Sequence, residues 1–183
     1  MGKIAVIDTE TNWADQVMSI GTVIADADTF EPVALRYHVL PLECEIGGMY
    51  AGTLFLDTPV PPMRCTRAEA LEDLRTWFRV LDIRHLFAYN ACFDRNHLPE
   101  LRDYIWHDIM RIAIYRQHNP KIPAEAECFS TGRMKRGCGV EPMLRLLRGT
   151  RSYHETHNAC HDAIDELDIM RLLGTPPDQY PAL

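Results

Sequence analysis

Asp8 and Glu10 stand two residues apart in KIAVIDTETNW, Lys3 to Trp13, directly after the apolar run Ile4 to Ile7. A strand turns its side chains with period two, so both carboxylates point to one face. Like charges held together out of water raise each other's pKa, so the pair requires a counter-charge. Two further acids occupy comparable places. Asp94 lies in YNACFD, just past the apolar run His85 to Tyr89, with Asn90 placed as the N-cap of a helix that carries Asp94 in its first turns. Asp162 lies in HNACHDAIDEL, at the edge of the stripe Ala159, Ala163, Leu167, Met170, whose spacing marks a buried helix face. Taken singly, each acid could be a cap, a salt-bridge partner or a solvated side chain. Four that converge at strand ends would repel unless divalent cations sat between them. Two such ions about 4 Å apart clamp the attacking and leaving oxygens of a phosphodiester displacement. All-oxygen ligands favour Mg²⁺ or Mn²⁺ over zinc.

The elements that must position these acids can be read from periodicity and punctuation. Lys3 to Asp8, Val17 to Ala27 and Pro32 to Pro41 read as three strands with short connections, an antiparallel meander with Gly21 as a bulge. Residues 41–65, with Gly47-Gly48 and prolines at 41, 59, 61 and 62, form a long irregular segment. Thr66 and Glu69 fit a capping box ahead of a helix with Ala70, Leu74, Trp77, Phe78 and Leu81 on its apolar stripe. Strand His85–Asn90, a helix from Ala91, a short strand in YIWHD and a helix over IMRIAIYRQH follow. Residues 119–137 read as a loop, VEPMLRLLRG as a helix closed by Gly149, and Thr156 to Leu173 as the last helix, before a C-terminal tail at 175–183. Strands first, then strands alternating with helices, predict an α/β fold: a mixed sheet with helices on both faces.

At these acids the sequence resembles the DEDD (DnaQ-like) 3′–5′ exonuclease superfamily, whose fold is ribonuclease H-like. The family's Asp-x-Glu is met by Asp8-Thr9-Glu10, its Asn-x-x-Phe-Asp by Asn90 to Asp94, and its His-x-Ala-x-x-Asp by His157 to Asp162. Asn158 stands where a second branch of the superfamily has Tyr, which favours the histidine branch, DEDDh. The resemblance spans residues 3 to about 173 and implies one exonuclease domain over residues 1–183. It implies that Asp8, Glu10, Asp94 and Asp162 hold two divalent cations, Mg²⁺ or Mn²⁺, and that His157 is the general base. The implied reaction removes nucleoside 5′-monophosphates from the 3′ end of single-stranded DNA or RNA. Asn12-Trp13 where relatives have Thr-Gly, and Tyr89 where they often have His, are departures. The alternatives are a processing subunit acting within a polymerase complex and an inactive nucleic-acid-binding module; a second copy of the chain is a further partner to test.

His157 lies five residues before Asp162, about 140° away on a continuous helix, so it is expected at or before the first helical turn. Thr11, Asn90 and Phe93, within the motifs, are candidate substrate contacts. Trp13 either stacks on a terminal base or packs at the rim. Arg133, Lys135 and Arg136 form a dense basic run, either a phosphate contact or a solvated loop. His154, His157, His161 and Cys160 could be read as a zinc cluster, but no second ligand pair completes it. Asp108 is expected to cap a helix, and Asp165 and Glu166 to be solvated. The 183 residues carry a net charge of −7, which argues against non-specific binding along a duplex. The first residues read as a core strand with no signal-peptide pattern. No apolar run approaches a membrane span, and six cysteines without a Cys-x-x-Cys pair read as reduced thiols of a cytoplasmic protein.

Overall fold

A computed structural model describes residues 2–183. Strands β1 (Lys3–Thr11), β2 (Val17–Asp26) and β3 (Pro32–Val39) form the expected antiparallel meander. A two-residue strand β4 (Met63–Arg64) adds parallel to β3 at one edge; β5 (His85–Ala88) and β6 (Ile105–Asp108) add parallel to β1 at the other. The sheet order is β4-β3-β2-β1-β5-β6.

The helices are α1 (Pro41–Cys44), α2 (Arg67–Val80), α3 (Cys92–His97), α4 (Met110–Ala113), α5 (Val140–Arg148) and α6 (Ala159–Leu173). Period-two alternation sorts the sheet into two cores. Ile4, Val6, Val23 and Phe87 face Met143, Leu147, Ala163, Leu167 and Met170 of α5 and α6. Ala5, Ile7, Ile24 and Leu86 face Ala70, Leu74 and Phe78 of α2. Helices thus cover both faces, as expected. Because Asp8 and Glu10 continue the parity of Ile4 and Val6, they emerge on the α6 side.

Local chemistry explains the boundaries. Thr66 caps α2: its hydroxyl accepts from the Glu69 N–H at 3.3 Å, and its own N–H donates to Glu69 at 2.8 Å. Gly149 and Gly174 end α5 and α6 in the left-handed conformation that glycine adopts without steric cost. The helix expected over IMRIAIYRQH is only Met110–Ala113; beyond it Asn119 turns back and donates its Nδ2 to the Ala113 carbonyl at 2.7 Å, holding the chain in a turn. Gly21 is not a bulge: the register of β1 against β2 runs through Asp8–Gly21 unbroken and shifts at Glu10/Thr11 instead. Its reason is a close approach. A Cβ there would lie 1.8 Å from the Ala159 carbonyl oxygen, so only glycine lets the start of α6 rest on β2 opposite Asp8. All six cysteines are free, and no described helix is long and apolar enough to cross a membrane.

Candidate active site

The four motif acids come together where β1 passes α6 and the turn after β5. Asp94, 2% exposed, sits in the first turn of α3, and the Thr9 hydroxyl donates to its Oδ1 at 2.8 Å. Asp162, 3% exposed, projects from the first turn of α6. Asp8 Oδ2 and Asp162 Oδ1 are buried without any hydrogen-bond partner. Among the described residues no Lys or Arg pairs with any of the four acids.

The electrostatics follow from that geometry. Burial lifts Asp8 well above the usual carboxylate range, and the charges of Glu166, Asp94, Asp162 and Glu10 push it further. Burial, then the Glu155 charge, raise Glu10 to about 7. Burial raises Asp94 to about 7 against the opposing pull of the Thr9 hydrogen bond. Asp162 rises to about 9 through burial, then the charges of Glu155 and Glu10. A group of acids that resists ionising and leaves oxygens unpaired suits a hard divalent cation, which satisfies both needs at once. Ligand atoms of Glu10, His157 and Asp162 all lie within 4.8 Å of one another, close enough to share one ion.

His157 sits before α6, as its spacing required. Asn158 is the N-cap: its Oδ1 accepts from the N–H groups of Cys160 and His161 at 3.1 and 3.4 Å, and its Nδ2 donates to the Tyr37 hydroxyl and the Thr53 carbonyl. His157 itself has φ 51°, a left-handed backbone that costs a bulky residue about 1–3 kcal/mol. That turn aims the imidazole back toward Glu10 and Asp162. His161 lies outside this group and pairs its Nε2 with the Asp57 carbonyl at 2.8 Å. His154 faces Glu141 and Arg145 instead, so the zinc reading of His154, His157, Cys160 and His161 is not met.

A cleft of about 440 Å³ opens beside the acids, lined by Thr9, Glu10, Thr11, Asn12, Trp13, Asp15, Met49, Tyr50 and Phe93. Trp13 is 68% exposed and Phe93 39% exposed, so both offer open aromatic faces at the rim. Thr11 borders the same space. Asn90 does not: it is no N-cap, since α3 begins at Cys92 without a side-chain cap, and it takes a left-handed turn at φ 66° with its N–H donating to Asp108. Asp108 also accepts from the Met110 N–H at 3.0 Å, but it is not the expected N-cap: Ile109 holds that place before α4, which has no side-chain cap. Arg133, Lys135 and Arg136 are absent from the cleft lining; Arg133 bridges to Tyr115, and Lys135 lies 5.7 Å from the Phe129 ring centroid.

Four residues around the site are not apparent from the motifs. Glu166, expected to be solvated, is 1% exposed; burial, then the nearby Asp94 charge, lift it well above the usual range, and its Oε2 has no partner. Its position four residues after Asp162 places both on one helix face, the signal that identifies it. Asp165 is likewise inward, tied to Tyr153 and Arg148. Glu155 carries no spacing signal, yet its charge acts on Glu10 and Asp162. Tyr50, from the irregular segment, stacks on His157 with ring centroids 3.9 Å apart and planes at 16°.

No protein-family model matches the chain, and no curated protein matches it. Solved structures do. The nuclease domain of 3′hExo, a DEDDh family member, bound to rAMP, is 14% identical over 99% of this chain and 96% of its own, with a TM-score of 0.63. A full-length 3′-exonuclease is 12% identical over 92% of this chain and 80% of its own, at a TM-score of 0.61. E. coli Exonuclease I in complex with a dA16 oligonucleotide is 14% identical over 98% of this chain, with a TM-score of 0.58. This chain spans 42% of that protein's length. At these identities the likeness is one of fold, and it is the ribonuclease H-like fold of the DEDDh exonucleases that the three motifs imply.

Proposed function

We propose that the chain is a metal-dependent 3′–5′ exonuclease acting on single-stranded nucleic-acid ends and releasing nucleoside 5′-monophosphates. The observation that carries this reading is the convergence of Asp8, Glu10, Asp94 and Asp162 with His157 on a fold shared with 3′-exonucleases. Asp8, Glu10, Asp94 and Asp162 are the residues that would hold two divalent cations, Mg²⁺ or Mn²⁺. When bound, such ions supply Lewis acidity to water and to the scissile phosphate. The chain's own side chains do the rest. Thr9 fixes the Asp94 carboxylate through its hydroxyl. A ring nitrogen of His157 takes the proton of the attacking water, for which the imidazole must be neutral. Trp13 and Phe93 flank the terminal nucleotide with open aromatic faces on which bases of any identity stack. Thr11 borders the approach to the phosphate. Arg133, Lys135 and Arg136 contact the strand beyond the cleft.

His157→Ala tests the assignment of the base. Divalent-ion binding should persist while kcat falls roughly 10²–10⁴-fold, the usual contribution of a positioned base. Wild-type kcat in that variant would remove His157 from the mechanism. End-labelled DNA and RNA oligonucleotides of several lengths, compared in kcat/KM, assign the substrate.

A further inference from the structure

From the stack of Tyr50 on His157 we infer that residues 45–57 are a strap that positions the general base, with Tyr50 as its positioning residue; this rests on the exonuclease reading above. Three facts lead there. His157 precedes the first turn of α6 and has a left-handed backbone, so the helix does not set its direction. The Tyr50 ring lies parallel to the imidazole at 3.9 Å, fixing the ring plane. Thr53, three residues on, donates its hydroxyl to the His157 carbonyl and accepts from Asn158 Nδ2 at 2.8 Å, fixing the main chain. Ring and backbone of one histidine are therefore held by one short segment.

The same segment is tied to the strand that bears Asp8 and Glu10. The Trp13 N–H donates to the Gly47 carbonyl at 2.9 Å, and just ahead of the strap Asn12 Nδ2 donates to the Glu43 carbonyl of α1 at 2.9 Å. Gly48 presses so close to this strand that a Cβ there would lie 2.7 Å from the Thr11 carbonyl oxygen. Farther along, the Tyr37 hydroxyl donates to the Leu54 carbonyl at 2.8 Å, and His161 Nε2 donates to the Asp57 carbonyl. The strap bridges the end of β1 to the start of α6, so the distance from Glu10 to the His157 ring is set through it.

Tyr50 is half-buried and its hydroxyl pairs with none of the described residues, so its ring carries the effect. Tyr50→Ala should lower kcat by about 10- to 100-fold, the scale of a misplaced reacting group. Tyr50→Phe should recover most of that loss, because it keeps the stack. Acting through His157, the Ala substitution should cost nothing further in the His157→Ala background. The second arm does not depend on turnover. In the wild type, NMR of labelled histidine should show a His157 ring resonance shifted by the ring current of Tyr50. That shift should vanish in Tyr50→Ala and persist in Tyr50→Phe. An unshifted His157 resonance in the wild type, or equal loss of kcat from Tyr50→Ala with and without His157, would overturn the proposal. If the wild type hydrolyses no nucleic acid while the resonance behaves as described, the exonuclease reading fails and the positioning stands.

Discussion

Gly21 and Ala159 meet backbone to backbone: any Cβ at position 21 would overlap the Ala159 carbonyl oxygen, at 1.8 Å. The contact brings the first turn of α6, with Asp162, down onto the sheet opposite Asp8. Backbone cannot swing aside as a flexible side chain can. Gly21→Ala should therefore push α6 outward, with the roughly 1–3 kcal/mol or more of an overpacked core. Chemical denaturation measures the loss. Stability equal to that of the wild type would show that α6 is not seated through this contact.

The acid cluster predicts how the metal-free protein responds to pH. Folding raises the pKa of Glu10 and Asp94 to about 7 and of Asp162 to about 9, against about 4 for unfolded carboxylates. Between those limits the folded state holds more protons than the unfolded state, so stability falls as pH rises. In EDTA, Tm should drop progressively from about pH 5 to about pH 9, with the part due to Glu10 and Asp94 ending near 7. Mg²⁺ or Mn²⁺ should flatten the decline, since the ion replaces the protons. A metal-free Tm that rises over this interval would mean that the carboxylates are not buried together.

Glu166 gives a separable test. Its charge bears on Asp94, Asp162 and Asp8, and its Oε2 is unpartnered. Gln keeps the volume and loses the charge. Glu166→Gln should raise the metal-free Tm above about pH 7 and weaken divalent-ion affinity, measured by isothermal titration. Unchanged affinity and an unchanged Tm would leave Glu166 as a filler of space.

Much of this was legible in the sequence because it rests on local rules. Period two put Asp8 and Glu10 on one face, the Thr66–Glu69 capping box fixed the start of α2, and the helical separation of His157 from Asp162 required the base to precede α6. What was not legible depends on contacts between distant segments. Nothing near Tyr50 announces a partner 107 residues away, and the stack exists only because the irregular segment folds over the end of β1. Asn90 looked like a helix cap by type, but its N–H reaches Asp108 on β6, a pairing created by the sheet. Glu166 lay within reach of i, i+4 reasoning, yet acids at the end of a motif more often face water, and only the packing of α6 turns it inward.

The basic run predicts a length effect. Arg133, Lys135 and Arg136 stand outside the cleft lining, so the contact proposed for them requires a strand longer than the cleft holds. Replacing all three with Ser should reduce the salt slope for a long oligonucleotide by roughly 0.7 per lost phosphate contact and leave that of a dinucleotide unchanged. Equal slopes for the long strand before and after substitution would return the run to solvent.

A 5′-labelled single-stranded oligonucleotide reads whether these acids and His157 shorten a strand from its 3′ end with divalent ions. With Mg²⁺ or Mn²⁺ the label should appear in a descending ladder; EDTA should stop the reaction, and Asp162→Asn should abolish it in a protein that still folds. Label released first as a mononucleotide, or a full ladder in excess EDTA, would rule out metal-dependent digestion from the 3′ end.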